Sequence, residues 1–346
     1  MKIDKRMIIT LVVLMLSLII VFIEGEPNIL YFTSLILGLL SISVVSEYAV
    51  KGIKSLAIRL GVSDYVGGVI SSMASNLPEA VLALFMALHP ELREIAVLMI
   101  LLAAAFNGIL LGVLIVILSK KSGYVELPKE ALIHDIEVMR ITIVFTLLIA
   151  SIGIMLDIHG GENILPYEVP MLMLLAYLSY IYFLSKSGKR LGEKVAVEKH
   201  WIIYFIIGIA GIVLGSELIS SGLEHFVRAE SLSLGIVATL LAFAGSVPEH
   251  FIAVLGGLKG EIDIGVSNLL SGIVQSLMFI LPLVALFVPV YLDGYVIYQL
   301  IANALTLWLV KKSIVDDGKL TLDEGVSIIL AHLLGLLLFD ELSIHI

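Results

Sequence analysis

"SNLPEA" at residues 75–80 and "GSVPEH" at residues 245–250 each set a carboxylate directly after a proline, inside a long apolar run. Glu79 is the fourteenth of 23 residues in its run and Glu249 the sixteenth of 25, so both lie deep. A charged side chain at the centre of a bilayer costs roughly 2.5–3.5 kcal/mol on insertion scales. A proline in a helix interior deletes a backbone hydrogen bond and costs about 3 kcal/mol. The two stretches stand 170 residues apart, and repetition of so costly a pair points to function rather than accident.

The surroundings make the bilayer the relevant solvent. Of 346 residues 60% are hydrophobic and 15% charged, against about 45–50% and about 25% in soluble domains. An integral membrane protein follows, expected as a single polytopic unit because no long polar domain is left over. Cysteine is absent, which excludes disulfides and thiolate metal sites. A net charge of −9 argues against nucleic acid as a partner. The N-terminal MKIDKR and the apolar run after it are expected to be a retained first span, because no small-residue cleavage site follows Ile23.

Crossing a hydrocarbon core takes about 20 apolar residues. Eleven runs qualify: 7–23, 29–48, 66–88, 95–118, 141–158, 168–185, 201–220, 234–258, 264–288, 295–310 and 325–339. Alternate connections, counted from the N-terminus, hold 19 of the 21 lysines and arginines; the other side holds only Arg93 and Arg228. By the positive-inside rule the N-terminus is cytoplasmic and the C-terminus outside. The expected site is therefore a cell membrane crossed many times.

Sliding the chain by 170 aligns Ser46 with Ser216, Glu47 with Glu217, Gly52 with Gly222, Ala74 with Ala244, Pro78 with Pro248, Glu79 with Glu249 and Ala83 with Ala253. Each copy holds five spans. Five is odd, so the copies enter the membrane in opposite senses. The expected fold is all-α, with about eleven transmembrane helices: one extra helix in residues 1–27, then two inverted five-helix repeats, 28–185 and 200–346, joined by a cytoplasmic linker, 186–199. Inverted repeats with helices interrupted at the midplane are the sequence mark of a secondary transporter. Interruptions are expected near Pro78 and Pro248.

Proline and carboxylate form one device. Pro78 cannot donate to the carbonyl of Ala74, nor Pro248 to that of Ala244, and a cation can take up those oxygens. Helical spacing adds Ser72, Ser75 and Asn76 to the face of Glu79, and Ser246 to that of Glu249. The following spans each bring one deep amide, Asn107 and Gln275, the latter on a stripe with Ser267 and Ser271. Such an all-oxygen set suits a hard divalent cation such as Ca²⁺, carried as substrate, with no cofactor expected. His250 points about 100° away from Glu249, which makes it a hydrogen-bond partner to another helix or a supporting group. His332 is read as structural. Glu47 and Glu217 lie near the ends of their spans, as pathway groups or simply as solvated ones.

The two Pro-Glu segments resemble the alpha-repeats of the calcium/cation antiporter superfamily over about residues 46–112 and 216–285. "GSVPEHFIAVLGGLKGEIDIGVSNLLSGIVQ" is most similar to its calcium/proton exchanger branch, where G-N-x-x-E-H-x-x-A-V precedes G-S-x-x-Q. Gly245, Glu249, His250, Ala253 and Val254 fit, with Gln275 following and Ser271 slightly shifted. In the first repeat Asn76, Pro78, Glu79 and Asn107 match. Ser246 replaces the usual asparagine, and the basic connection 186–200 replaces an acidic helix. The resemblance implies an antiporter exchanging Ca²⁺ for H⁺ by alternating access. The sodium-coupled branch, with G-T-S-x-P-E in both repeats and often an acid where Gln275 stands, is the alternative, and a cation channel a remote one. Proton coupling is favoured, since two neighbouring buried glutamates compete for protons and Ca²⁺ alike. No HExxH motif occurs and Glu249 and His250 are mutually misdirected, so no enzyme is expected.

Overall fold

The structure, a computed structural model, describes residues 5–21, 28–59, 70, 73–120, 122–127, 132–160, 162–186, 199–228 and 234–342; within these the side chains of residues 5, 6, 21, 28, 184–186, 248, 249, 252, 340 and 341 lie outside the description. Although residues 66–69, 71 and 72 of the third predicted span lie outside the described residues, a helix stands on each span. They are α1 (Lys5–Val21), α2 (Asn28–Arg59), α3 (Leu77–Leu88), α4 (Arg93–Ser119), α5 (Ile133–Ile158), α6 (Glu168–Lys186), α7 (Trp201–Arg228), α8 (Leu234–Leu258), α9 (Ile262–Ala285), α10 (Gly294–Asp316) and α11 (Leu322–Leu337). Five of them, α2, α4, α5, α7 and α9, are long and apolar enough to cross a membrane alone; α1, α3, α6 and part of α8 are shorter apolar helices.

By compactness the chain divides into two units that cut across the repeats. Unit 1 is Met1–Ala96 with Ile181–Leu234, and unit 2 is Val97–Tyr180 with Gly235–Ile346. In unit 1, α2 and α7 pack antiparallel, and these are the first helices of the two repeats. Small residues bring their backbones together. A Cβ on Gly52 would lie 2.5 Å from Phe205 Cα, and one on Gly222 would lie 2.9 Å from Leu35 Cγ. A Cβ on Gly38 would meet Ile219 at 2.6 Å, and one on Gly208 would run into Ala49. Moving one partner forward by 170 and the other back by 170 turns each contact into its mate. The pair is thus two-fold symmetric, as inverted repeats require. Around it Val45, Ala49 and Ile212 form a buried core against which Leu14 of α1 and Leu77 and Val81 of α3 pack.

In unit 2, α4 and α9 are buried along most of their length. α4 meets α11 where Gly112 faces the Gly325 carbonyl and Gly325 faces that of Gly112, at 2.8 and 3.1 Å from the missing Cβ atoms. α5 packs on α10 beside Gly153. Two short strands escaped the sequence reading: Tyr124–Glu126 and Lys319–Thr321 pair antiparallel and tie two polar connections together. Thr321 and Glu324 then form a capping box that starts α11. Leu148, Met155, Leu172, Phe183, Ile206, Leu240 and Leu330 remain exposed, as apolar side chains facing lipid should.

A prediction follows from the α2–α7 contact. Gly52→Leu and Gly222→Leu each force two backbones apart and should lower thermal stability in detergent, by about 1–3 kcal/mol. Gly256→Ala, whose Cβ would meet nothing closer than Glu261 at 3.5 Å, should be neutral or stabilising. Equal melting temperatures for all three variants would refute the symmetric contact.

Candidate functional site

The two Pro-Glu stretches fold differently. Residues 73–75 are helical, Asn76 bends away at φ −83° and ψ 1°, and α3 starts afresh at Leu77. Pro78 therefore falls in a first turn, where its missing N–H forms no intrahelical bond in any case. The expected interruption is present here. At Pro248 it is not: α8 runs unbroken from Leu234 to Leu258. Proline's φ is itself helical, so losing one bond leaves the ladder continuous when the flanking turns hold.

In unit 1 the restart at Leu77 puts Glu79 in the first turn of α3. Aligned peptide dipoles there favour a negative charge, by about 0.3–1 kcal/mol at exposed sites. Glu79 is only 6% exposed, with Asn76 and Ala74 equally buried and Ser75 partly so. Ser72 lies outside the described residues. α3 packs on α7, which carries two hydroxyls that sequence reasoning passed over. Ser216 and Ser220 are wholly buried and without a hydrogen-bond partner. The predicted Glu217 is half-buried and accepts from Ser221 Oγ at 3.3 Å. Glu47 is half-exposed and held by Lys51 at 2.6 Å.

The end of α3 explains one exception to the basic asymmetry. Arg228 of α7 lies 2.9 Å from Glu91 and 2.5 Å from Glu224, and Glu224 also meets His89 Nδ1 at 2.9 Å. Two carboxylates thus offset the arginine.

In unit 2 three helices converge. Ser246 of α8, wholly buried, donates to Asn107 Oδ1 of α4 at 2.9 Å. His250, one turn on, meets Asn268 Oδ1 of α9 at 2.8 Å; with an oxygen accepting there, Nδ1 carries the proton and Nε2 is left without a partner. His250 is thus bonded to another helix, as expected from its direction. Gln275 Nε2 donates to Ser271 Oγ at 2.8 Å. Gly272 sits between the groups: a Cβ there would run into Asn107 Nδ2 and lie 3.1 Å from His250 Cε1. Neither Asn268 nor Gly272 was singled out from sequence. Directly after Gln275 the helix takes a π turn, Ser276–Ile280, a distortion frequent at functional sites. Ala244 is half-buried on α8, and the side chain of Glu249 lies outside the description. Asp135 of α5 bonds Ser267, which accounts for the outer member of the predicted stripe.

Apart from Asp135, these described groups of unit 2 are neutral oxygen and nitrogen donors, set close together. A profile of the family described as sodium/calcium exchanger protein matches residues 30–186 and 200–339. The chain belongs to that family. The exchanger match comes in two pieces, one in each half of the chain. The exchanger is 23% identical over 341 residues to the Ca²⁺/H⁺ antiporter of Aphanothece halophytica, covering 86% of this chain and 88% of that protein. Its fold superposes on the H⁺/Ca²⁺ exchanger CAX with a TM-score of 0.75 at 17% identity, over 97% of this chain and 89% of the other. With a sodium-calcium exchanger solved in Na⁺ and Sr²⁺ the TM-score is 0.59 at 18% identity, over 92% and 100%. The exchanger is an all-α membrane protein with one extra helix and two inverted five-helix repeats, the architecture read from its sequence.

Packing at Gly272 yields a prediction. Gly272→Ala should displace Asn107 and break its bond with Ser246, whereas Ser246→Ala removes the same bond without crowding. Ser246→Ala leaves Asn107 Oδ1 buried without its donor and should cost about 1–3 kcal/mol. Thermal unfolding of the two variants, with melting temperatures equal to that of the parent, would show the cluster to be energetically idle.

Proposed function

We propose that this exchanger moves Ca²⁺, or a similar divalent cation, against H⁺ by alternating access, with Glu79 and Glu249 as the carboxylates that the two ions share. Asn107, Gln275, Ser75, Asn76, Ser246 and Ser271, with the carbonyls of Ala74 and Ala244, are the proposed neutral ligands or their supports. The observation that carries the reading is the neutrality of the groups around Gln275. Its amide is held by Ser271 on the buried helix α9. Two glutamates then set the charge at −2, which one Ca²⁺ or two protons neutralise equally, a balance that matters where the dielectric is low. The basic asymmetry supports a cytoplasmic N-terminus.

One observation favours the sodium-coupled alternative. Ser216 and Ser220 are buried hydroxyls without partners, and hydroxyl oxygens suit a small monovalent cation.

Calorimetric titration with Ca²⁺ at pH 6 and pH 8, with and without Na⁺, separates the two. Under proton coupling the affinity falls on acidification, by up to about 100-fold per pH unit where both carboxylates hold protons, because each ion displaces two. Binding that ignores pH and is abolished by Na⁺ would eliminate the proton reading.

A second prediction concerns the carboxylates themselves. Glu79→Gln and Glu249→Gln should each abolish Ca²⁺ uptake into proteoliposomes while the variant still elutes as a folded protein. Uptake at the parental rate in either would remove that residue from the site.

A further inference from the structure

Helix α10 carries a second run of buried polar side chains. Tyr295, Gln299, Asn303 and Thr306 follow one another at intervals of four, four and three residues, so they form one stripe along the helix. Each is at most 2% exposed, and so is His332 on the adjoining helix α11. The stripe spans 12 residues, about 16 Å of helix, which is roughly half the hydrocarbon depth. All of these residues belong to unit 2, and none was assigned to cation binding above.

Only part of their hydrogen-bonding capacity is used. Thr306 Oγ1 meets His332 Nε2 at 3.0 Å, and Asn303 Nδ2 donates to the Gln299 carbonyl at 2.9 Å. Left without partners are both ends of the Gln299 amide, Asn303 Oδ1 and His332 Nδ1. The Tyr295 hydroxyl and Gln299 interact, but neither reaches hydrogen-bonding geometry. Native interiors leave few such atoms unmet, and buried water is the usual partner where the site is polar.

Glycines let these polar side chains pack against the neighbouring helices. A Cβ at Gly335 of α11 would come within 2.7 Å of Gln299 Nε2. On the other side the His332 ring fills the place of the Cβ that Gly108 of α4 lacks.

The donor pattern selects the occupant. A bare cation would satisfy the oxygens and leave the Gln299 N–H groups unmet. Exchanging the two ends of that amide changes nothing, since both are unpartnered. An apolar ligand would satisfy neither. Water both donates and accepts. We propose that the seam between α10 and α11 is a water-binding site, holding a short file of water molecules that runs from Tyr295 past Gln299 and Asn303 to His332 Nδ1. The His332 ring at one end of it packs against Gly108, the residue after Asn107. The proposal stands whichever ion drives exchange.

Hydroxyl-radical labelling of the intact protein in nanodiscs, read by mass spectrometry in ¹⁸O-labelled water, tests it directly. Radicals formed from enclosed water mark the side chains beside it. Tyr295 and His332 should be modified at rates within a few-fold of exposed Tyr167, while the buried Met86 and Met278 stay unmodified despite the greater reactivity of their thioethers. In a Gln299→Leu, Asn303→Leu variant, labelling of His332 should fall at least fivefold. Gly335→Ala, which crowds Gln299 without removing it, should lower labelling in the same direction and serves if the double variant does not fold. Tyr295 and His332 as unreactive as the two methionines would overturn the proposal. So would His332 labelling that survives both variants undiminished.

Discussion

Helices in hydrocarbon gain little from burying apolar side chains, because lipid is as apolar as leucine. Their association must come from close approach and from polar groups that find one another. In unit 1 this constraint is met by α2 and α7, which touch at backbone level wherever Gly38, Gly52, Gly208 and Gly222 remove a side chain. The core of Val45, Ala49 and Ile212 exists because of that approach, and α3, with its buried glutamate, is seated against it. Unit 2 obeys the same rule. Gly112 and Gly325 bring α4 to α11, and Gly272 lets Asn107 and His250 share the space beside α9.

The two Pro-Glu pairs show how one dipeptide acquires two environments. Glu79 stands in the first turn of a helix that has just restarted, where aligned peptide dipoles favour a negative charge. Glu249 stands on an unbroken helix, well past its first turn. Repeat symmetry made the two positions equivalent in sequence; the backbone has made them unequal in electrostatics. The proline lies beyond a bend in the first case and is carried within the ladder in the second.

Much of this architecture could be read from the residues. Apolar run length located α1 to α11 among the described residues, because the bilayer leaves the backbone few alternatives. The spacing of 170 exposed the duplication, and the direction of His250 relative to Glu249 foretold a bond to another helix. What escaped the reading is chiefly pairwise and long-range. Nothing local marks Asn268 as the partner of His250, or Thr306 as that of His332. The glycines of α2 and α7 were visible, but only their opposition across the pair gives them meaning. The continuity of α8 through Pro248 is likewise set by the turns around it, and the short strand pair joins segments almost 200 residues apart, whose matching no periodicity reveals.

The symmetric contact between α2 and α7 has the form of an isologous dimer interface, with one patch meeting a copy of itself. Two separate half-chains would have to find each other at a rate set by their density in the membrane. Within one polypeptide the meeting is intramolecular and independent of abundance. Fusion also permits divergence at the symmetry axis, where a residue faces its own equivalent. Positions 41 and 211 are such a pair: Ser41 Oγ donates to the Gly211 carbonyl at 3.2 Å across a separation of 170 residues. In a dimer of identical halves the same residue would stand on both sides. In the single chain one half supplies the hydroxyl and the other a glycine, whose missing Cβ leaves room for Val45 and Leu14.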